Sequence, residues 1–198
     1  MQLTPDQPSS GLVARLLREG GVLKIALNDR VCEPLAFRSF RPEARNISEF
    51  YAAGLRLMNP LHTGMNCTLD VPYSLFGEVW TGPGEYDFAA FDRQMELFVE
   101  HAPDAYLNIM LQLDTRDWYL QAHPECSNTY RNLVEMAGHE PWRAETARFL
   151  GDMLGYVEGK YGVFVFAYTL LCGSSTEWFT NPLVPDHPEA LIRPHPLK

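Results

Sequence analysis

Close cysteine pairs are missing from this chain. Cys32, Cys67, Cys126 and Cys172 are scattered through 198 residues with no Cys-x-x-Cys spacing, so neither a structural zinc motif nor a redox dithiol of that kind is supported. They read as reduced core or near-core thiols. The six histidines show no metal-ligand spacing either, and no metal or cofactor is expected. Basic charge is scarce: 16 Lys and Arg stand against 25 Asp and Glu, a net charge of −9. A phosphate backbone is repelled by such a surface, which excludes a nucleic-acid partner. No apolar run approaches the roughly 20 residues that span a bilayer, so no membrane partner is expected. The first residues, Met1-Gln-Leu-Thr-Pro-Asp-Gln-Pro8, carry no basic and then apolar leader pattern, and the cytoplasm is the default location. Glycine is absent from Phe40-Arg-Pro-Glu-Ala-Arg-Asn46 between the first core strand and its helix, and no Gly-Lys-Ser/Thr loop occurs. Phosphate cradling of the Rossmann or P-loop kind is therefore unsupported.

What is present is a core. Hydrophobic residues make up 46% of the chain and aromatics 12%, enough to bury one domain. Val22–Leu27, Asn28-Asp29 and Val31–Phe37 predict an N-terminal β-hairpin, its second arm leading to a strand at 35–40. Asn46 and Glu49 have capping-box spacing before a helix that Gly54 closes. A second strand is expected over 55–62, interrupted by Pro60. Asp87 is placed to cap a helix with Phe88, Phe91, Met95 and Phe98 on one face. A third strand alternates over 105–113. Pro141 suits the first turn of a further helix, and the nearly all-apolar run Val163–Cys172 predicts a fourth strand buried on both faces. The order βαβαβαβ implies parallel strands with right-handed crossovers. Residues 1–20 read as a lead-in, 21–180 as the domain, and 181–198, with five prolines, as a tail. Long aromatic loops after the second and third strands match barrel enzymes, whose sites sit at strand carboxyl ends.

Three segments at those ends carry a resemblance. They are Trp80-Thr-Gly-Pro-Gly-Glu-Tyr-Asp-Phe88, then Leu113-Asp-Thr-Arg-Asp-Trp118 with His123-Pro124, then Gly173-Ser-Ser-Thr-Glu-Trp178. In this order they resemble the N-terminal half of β-galactosidase-like (β/α)8-barrel glycoside hydrolases, over roughly residues 33 to 180. The resemblance implies an incomplete TIM-type barrel of four βα units, a carbohydrate substrate and a retaining site. It makes Glu177 the acid–base carboxylate; the plainer alternative is a solvated loop glutamate. Relatives place Asn before that Glu to hold a sugar hydroxyl; here Thr176 occupies the position with a shorter reach. Trp80, Trp118 and Trp178 are candidates for a subsite wall, since sugar C–H faces stack on indoles, or each packs its own loop. Arg38 could steady a carboxylate or form a surface ion pair. Asp114 and Arg116 could bind hydroxyls or form a loop salt bridge. His62 is the one histidine placed in the pocket. Glu78 and Glu85 read as ordering the glycine-rich loop, and Asp92 as a solvated helix residue.

Glycosidic cleavage needs two carboxyl groups, and the family's nucleophile on a seventh strand has no counterpart here. The chain is therefore expected to be inactive alone. Truncation ranks first among the explanations, ahead of pairing with itself as a homodimer or with a separate C-terminal half. The alternative reading is a non-catalytic half-barrel that binds carbohydrate or self-assembles.

Overall fold

The computed structural model describes residues 12–65, 72–173 and 177–178. Three antiparallel strands come first: β1 (Ala14–Glu19), β2 (Val22–Leu27) and β3 (Arg30–Cys32), in the order β1-β2-β3. The β2–β3 hairpin turns at Asn28, whose φ of 51° suits an asparagine. Strand β1 lies within the stretch assigned to the lead-in. The Gly20-Gly21 turn, both residues at positive φ, folds it back on β2.

Then come β4 (Ala36–Phe37), α1 (Ala44–Ala52) and β5 (Leu57–Met58). The small hairpin β6 (Trp80–Gly82) and β7 (Glu85–Tyr86) precedes α2 (Phe88–His101) and β8 (Tyr106–Gln112). Two helices missed by the periodicity, α3 (Asp117–Ala122) and α4 (Thr129–Gly138, kinked at Asn132), follow before α5 (Glu140–Tyr161) and β9 (Val165–Leu171). The chain is thus mixed α/β. Strands β4, β5, β8 and β9 form one parallel sheet, neighbours in space being neighbours in chain order.

The sheet is one-sided in its helix packing. Leu107, Ile109 and Leu111 of β8 share a buried cluster with Phe37, Met58, Ile47 of α1, Phe91 and Met95 of α2, and Phe149 and Met153 of α5. The opposite face carries Asn108, hydrogen-bonded to Thr169 of β9, and Met110, which packs with Leu61, Tyr73 and Leu171. At the amino ends of the strands, Leu27 and Cys32 of the hairpin sheet pack on Leu57, with Tyr106 and Phe166 alongside. A register shift between Leu107 and Asn108, where Phe166 is the extra residue in β9, realigns that strand with its neighbour.

Four local expectations are corrected. The capping box at Asn46 does not form: α1 starts after Glu43, and Glu49 instead pairs with Arg45 at 2.7 Å, one turn back. The second strand shrinks to two residues plus a bridge from Leu61 to Met110, because Pro60 offers no N–H and only its carbonyl accepts, from Met110 at 3.0 Å. Strand β9 is buried only at its ends. It pairs with β8 alone among the described residues, so the apolar run marks an edge here rather than a doubly covered strand. Asp92 is not solvated; its carboxylate accepts from Tyr156, Tyr161 and Lys160 and ties α2 to α5.

Asp87 caps α2 as expected, its Oδ1 accepting from Ala90 N at 2.9 Å. Asp87→Ala is expected to lower the unfolding free energy by about 1 kcal/mol, read from urea denaturation midpoints at unchanged slope.

Candidate active site at the carboxyl end of the parallel sheet

The chain segments that leave β5, β8 and β9 are joined by polar side chains from two of them. Glu78, on the segment after β5, is the most heavily engaged carboxylate. Its Oε2 accepts from Thr63 Oγ1 at 2.6 Å and Gly64 N at 3.1 Å; its Oε1 accepts from Val79 N and Trp80 N, both at 3.0 Å. Arg116, after β8, completes the set with Nη2 3.3 Å from Glu78 Oε1. Gly64 has to be glycine for this approach, since a Cβ there would meet Glu78 N at 2.6 Å.

The guanidinium of Arg116 is itself buried, the residue being 2% exposed. It donates to the carbonyls of Asp114 and Gln112 and lies 5.2 Å from the centre of the Trp80 ring. Asp114 is fully buried. Its carboxylate accepts from Gln112 Nε2, from Thr129 Oγ1 and, at 2.8 Å, from the backbone N–H of Gly173 just past β9. Burial raises the Asp114 pKa above the ordinary range, against the pull of those donors and of Arg116. The neighbouring Cys172 thiol is pushed up as well, chiefly by burial and then by the Asp114 charge.

The aromatic residues divide by exposure. Trp80 is buried, stacked on Phe149 at 4.4 Å and edge-on to Trp118 at 5.4 Å. Trp118 is half-buried and donates its indole N–H to the Trp80 carbonyl at 3.1 Å. Trp178 is 50% exposed; at φ 56° it folds back to donate its indole N–H to Leu170 O at 2.6 Å. Glu177 beside it is exposed, and Thr176 lies outside the described residues. Arg38 is exposed after β4, its guanidinium over the Phe40 ring.

His62 is buried, with its ring stacked on Phe91 at 4.1 Å, and neither ring nitrogen has a partner among the described residues. Burial holds its pKa down at about 3.

Of the sequence-predicted residues, the structure therefore joins Trp80, Trp118, Asp114 and Arg116 in one network. In that network Asp114 spends its carboxylate, and Arg116 its two Nη atoms, on other parts of the protein, while Arg116 Nε has no partner among the described residues. Glu177, Trp178 and Arg38 present exposed side chains. Linear spacing missed a further cluster, in which ligand atoms of His123, Glu125 and His139 lie within 4.8 Å of one another. Its only signal was the density of His, Glu and Cys between 123 and 139. Two cavities lie away from this end: one of about 340 Å³ beside Cys32, Leu35 and Leu57, and one of about 490 Å³ beside Glu96, Lys160 and Phe164. No helix among the described residues is long and apolar enough to cross a membrane.

Two outcomes follow from this geometry. Arg116→Met leaves the Gln112 and Asp114 carbonyls and part of Glu78 without their buried cation, and should cost about 3–5 kcal/mol in urea denaturation at neutral pH. For His62 the folded pKa lies below the unfolded value of about 6.5, so the unfolded state binds the extra proton. Stability from this group is present above that value and lost as pH falls towards about 3. Between pH 7 and pH 5 the loss amounts to about 2 kcal/mol. His62→Phe should remove that part of the acid slope, seen by comparing unfolding curves of the two proteins at both pH values.

The chain was compared with protein-family models, with curated proteins and with solved structures, and it matches none of them.

Proposed function

We propose that the chain is a half-barrel of the (β/α)8 glycosidase type, carrying the proton-donating side of a retaining site. The observation that carries this reading is the parallel sheet β4-β5-β8-β9 in strict chain order with α1, α2 and α5 packed on one face. A doubly wound sheet reverses its strand order and takes helices on both faces; a barrel wall does neither. Glu177 follows the fourth strand of that sheet, at the end where barrel enzymes build their sites.

In this reading Glu177 donates its proton to the glycosidic oxygen as the bond to the anomeric carbon breaks. A second carboxylate attacks that carbon from the opposite face, and the protonated alcohol leaves. Glu78 and Asp114 are committed to internal donors, so neither serves as that nucleophile. It is supplied by a second copy or by a complementary half. Trp118 and Trp178 offer indole surface to the apolar face of a sugar, with Arg38 at the rim, while Trp80, Asp114, Arg116 and His62 lie behind and hold the loops in place. Thr176, next to Glu177 in the chain, is the residue proposed to meet a sugar hydroxyl. A galactoside is the substrate favoured by the family resemblance alone.

A second reading, a non-catalytic carbohydrate-binding or self-assembling half-barrel, is favoured by the apolar surface of the hairpin sheet. There Leu16 is 75% exposed and Val22, Leu23 and Val31 are exposed as well.

The test supplies the missing nucleophile. With phenyl β-galactoside and added azide, azide attacks the anomeric carbon, phenol leaves with the proton from Glu177, and an α-galactosyl azide accumulates. Glu177→Gln should lower that rate by about 10²-fold or more. Azide-dependent turnover that is equal in the two proteins sinks the acid role of Glu177. Sugar binding by calorimetry with no turnover at any azide concentration establishes the second reading instead.

A further inference from the structure

We propose that His123, Glu125, Cys126 and His139 form a binding site for a divalent metal of the zinc class. The site lies between the end of α3 and the start of α5. The donors come from three backbone positions, each locked in place. His123 caps the C-terminus of α3, its N–H donating to Tyr119 O at 2.9 Å. A turn closed by Cys126 N to His123 O at 3.0 Å brings Glu125 and Cys126 back towards it. His139 sits at the N-cap of α5, tied by its N–H to Met136 O at 3.0 Å and by its carbonyl to Arg143 N at 3.1 Å.

Two of the ligand-atom separations already match a coordination sphere, and the others lie close to it. Metal–ligand bonds of about 2.0–2.3 Å in a tetrahedron hold their donors roughly 3.3–3.8 Å apart. Cys126 Sγ lies 3.6 Å from His139 Nε2, and His123 Nδ1 lies 3.3 Å from Glu125 Oε1. Cys126 Sγ is 4.0 Å from Glu125 Oε1, and ligand atoms of His123, Glu125 and His139 all fall within 4.8 Å. His123, Glu125 and His139 are therefore gathered around one point, and Cys126, adjacent to Glu125 and His139, completes the set by turning its thiol towards that point.

An outer partner is already present. Tyr119 Oη lies 2.9 Å from His139 Nδ1, which fixes the ring and leaves Nε2 as the nitrogen open to a ligand; Cys126 Sγ stands beside the ring, 3.6 Å from Nε2 and 3.7 Å from Nδ1. Metal-bound imidazoles are oriented in this way by a hydrogen bond at their other nitrogen. Two imidazoles, a thiolate and a carboxylate favour zinc over magnesium or calcium, which take oxygen ligands. An ion has a way in, because the His123 and Glu125 side chains are 32% and 63% exposed. Binding releases the Cys126 proton to solvent as the sulfur–metal bond forms, with no change of oxidation state. An ion held there clamps the kinked helix α4 between two fixed points.

Dialysis of the full chain against Zn²⁺, with metal content measured afterwards, should return one equivalent, and the melting temperature should rise. Co²⁺ in its place should give a sulfur-to-cobalt charge-transfer band in the near ultraviolet and intense tetrahedral bands in the visible. Cys126→Ser should abolish the charge-transfer band. His123→Ala, at a half-buried side chain stacked on Tyr119, should weaken Zn²⁺ binding by 10-fold or more while the far-ultraviolet circular dichroism stays that of the folded wild type. Zn²⁺ retention equal in the wild type and in His123→Ala overturns the site. A cobalt spectrum unchanged by Cys126→Ser overturns the thiolate ligand and the zinc-class assignment with it.

Discussion

The ion pair between the buried Arg116 and the largely buried Glu78 is the constraint on which the carboxyl end of the sheet depends. A charged pair taken out of water is unfavourable unless nearly every donor and acceptor is satisfied. Here the carboxylate collects two backbone N–H groups of its own segment, Gly64 N, a threonine hydroxyl and the guanidinium. The guanidinium in turn collects two carbonyls and the face of Trp80. Neither residue can be moved without exposing the others' unmet hydrogen bonds to an apolar interior. The segments after β5 and β8 are thereby held as one body.

Asp114 extends that body to the fourth strand. Its carboxylate reaches Gly173 N and Thr129 Oγ1, so the segment leading to Glu177 starts from a fixed point even though Glu177 itself is exposed. The arrangement separates two duties that one family resemblance had merged. Charged and aromatic residues deep in the network hold the loops. Glu177, Trp178 and part of Trp118 keep exposed surface at the same end. The division has a physical basis, because a carboxylate such as Asp114, whose oxygens already accept from several internal donors, has little left to offer outside the protein.

The sheet itself has an unequal environment. Its helix side buries Ile109, Phe91, Met95 and Phe149 in one continuous cluster, whereas the other side holds Asn108, Thr169 and a smaller group around Met110. The hairpin sheet closes the amino end through Leu27 and Leu57 and leaves its own outer residues, Leu16 and Leu23 among them, in solvent. Such surfaces, and the side of β9 that has no strand partner among the described residues, are where association would have its largest apolar gain.

Much of this was legible in the residues themselves. The strand–helix alternation, the Asp87 cap, the Pro141 start of α5 and the hairpin around Asn28 depend on neighbours within a few positions, and local chemistry decides them. The β1 strand escaped notice because it needs β2 as a partner, and α3 and α4 because each is short or kinked and has a weak period. The depth of each candidate was beyond reach for the same reason. Nothing local to Arg116, Asp114, Trp80 or His62 distinguishes a buried tie from a ligand contact, and nothing local to His123 and His139 says that a fold in the chain brings them together. Sequence by itself determined element type, because backbone preference and periodicity are short-range. Tertiary structure alone decided which charges were buried and which met, because burial and pairing are properties of segments far apart in the chain.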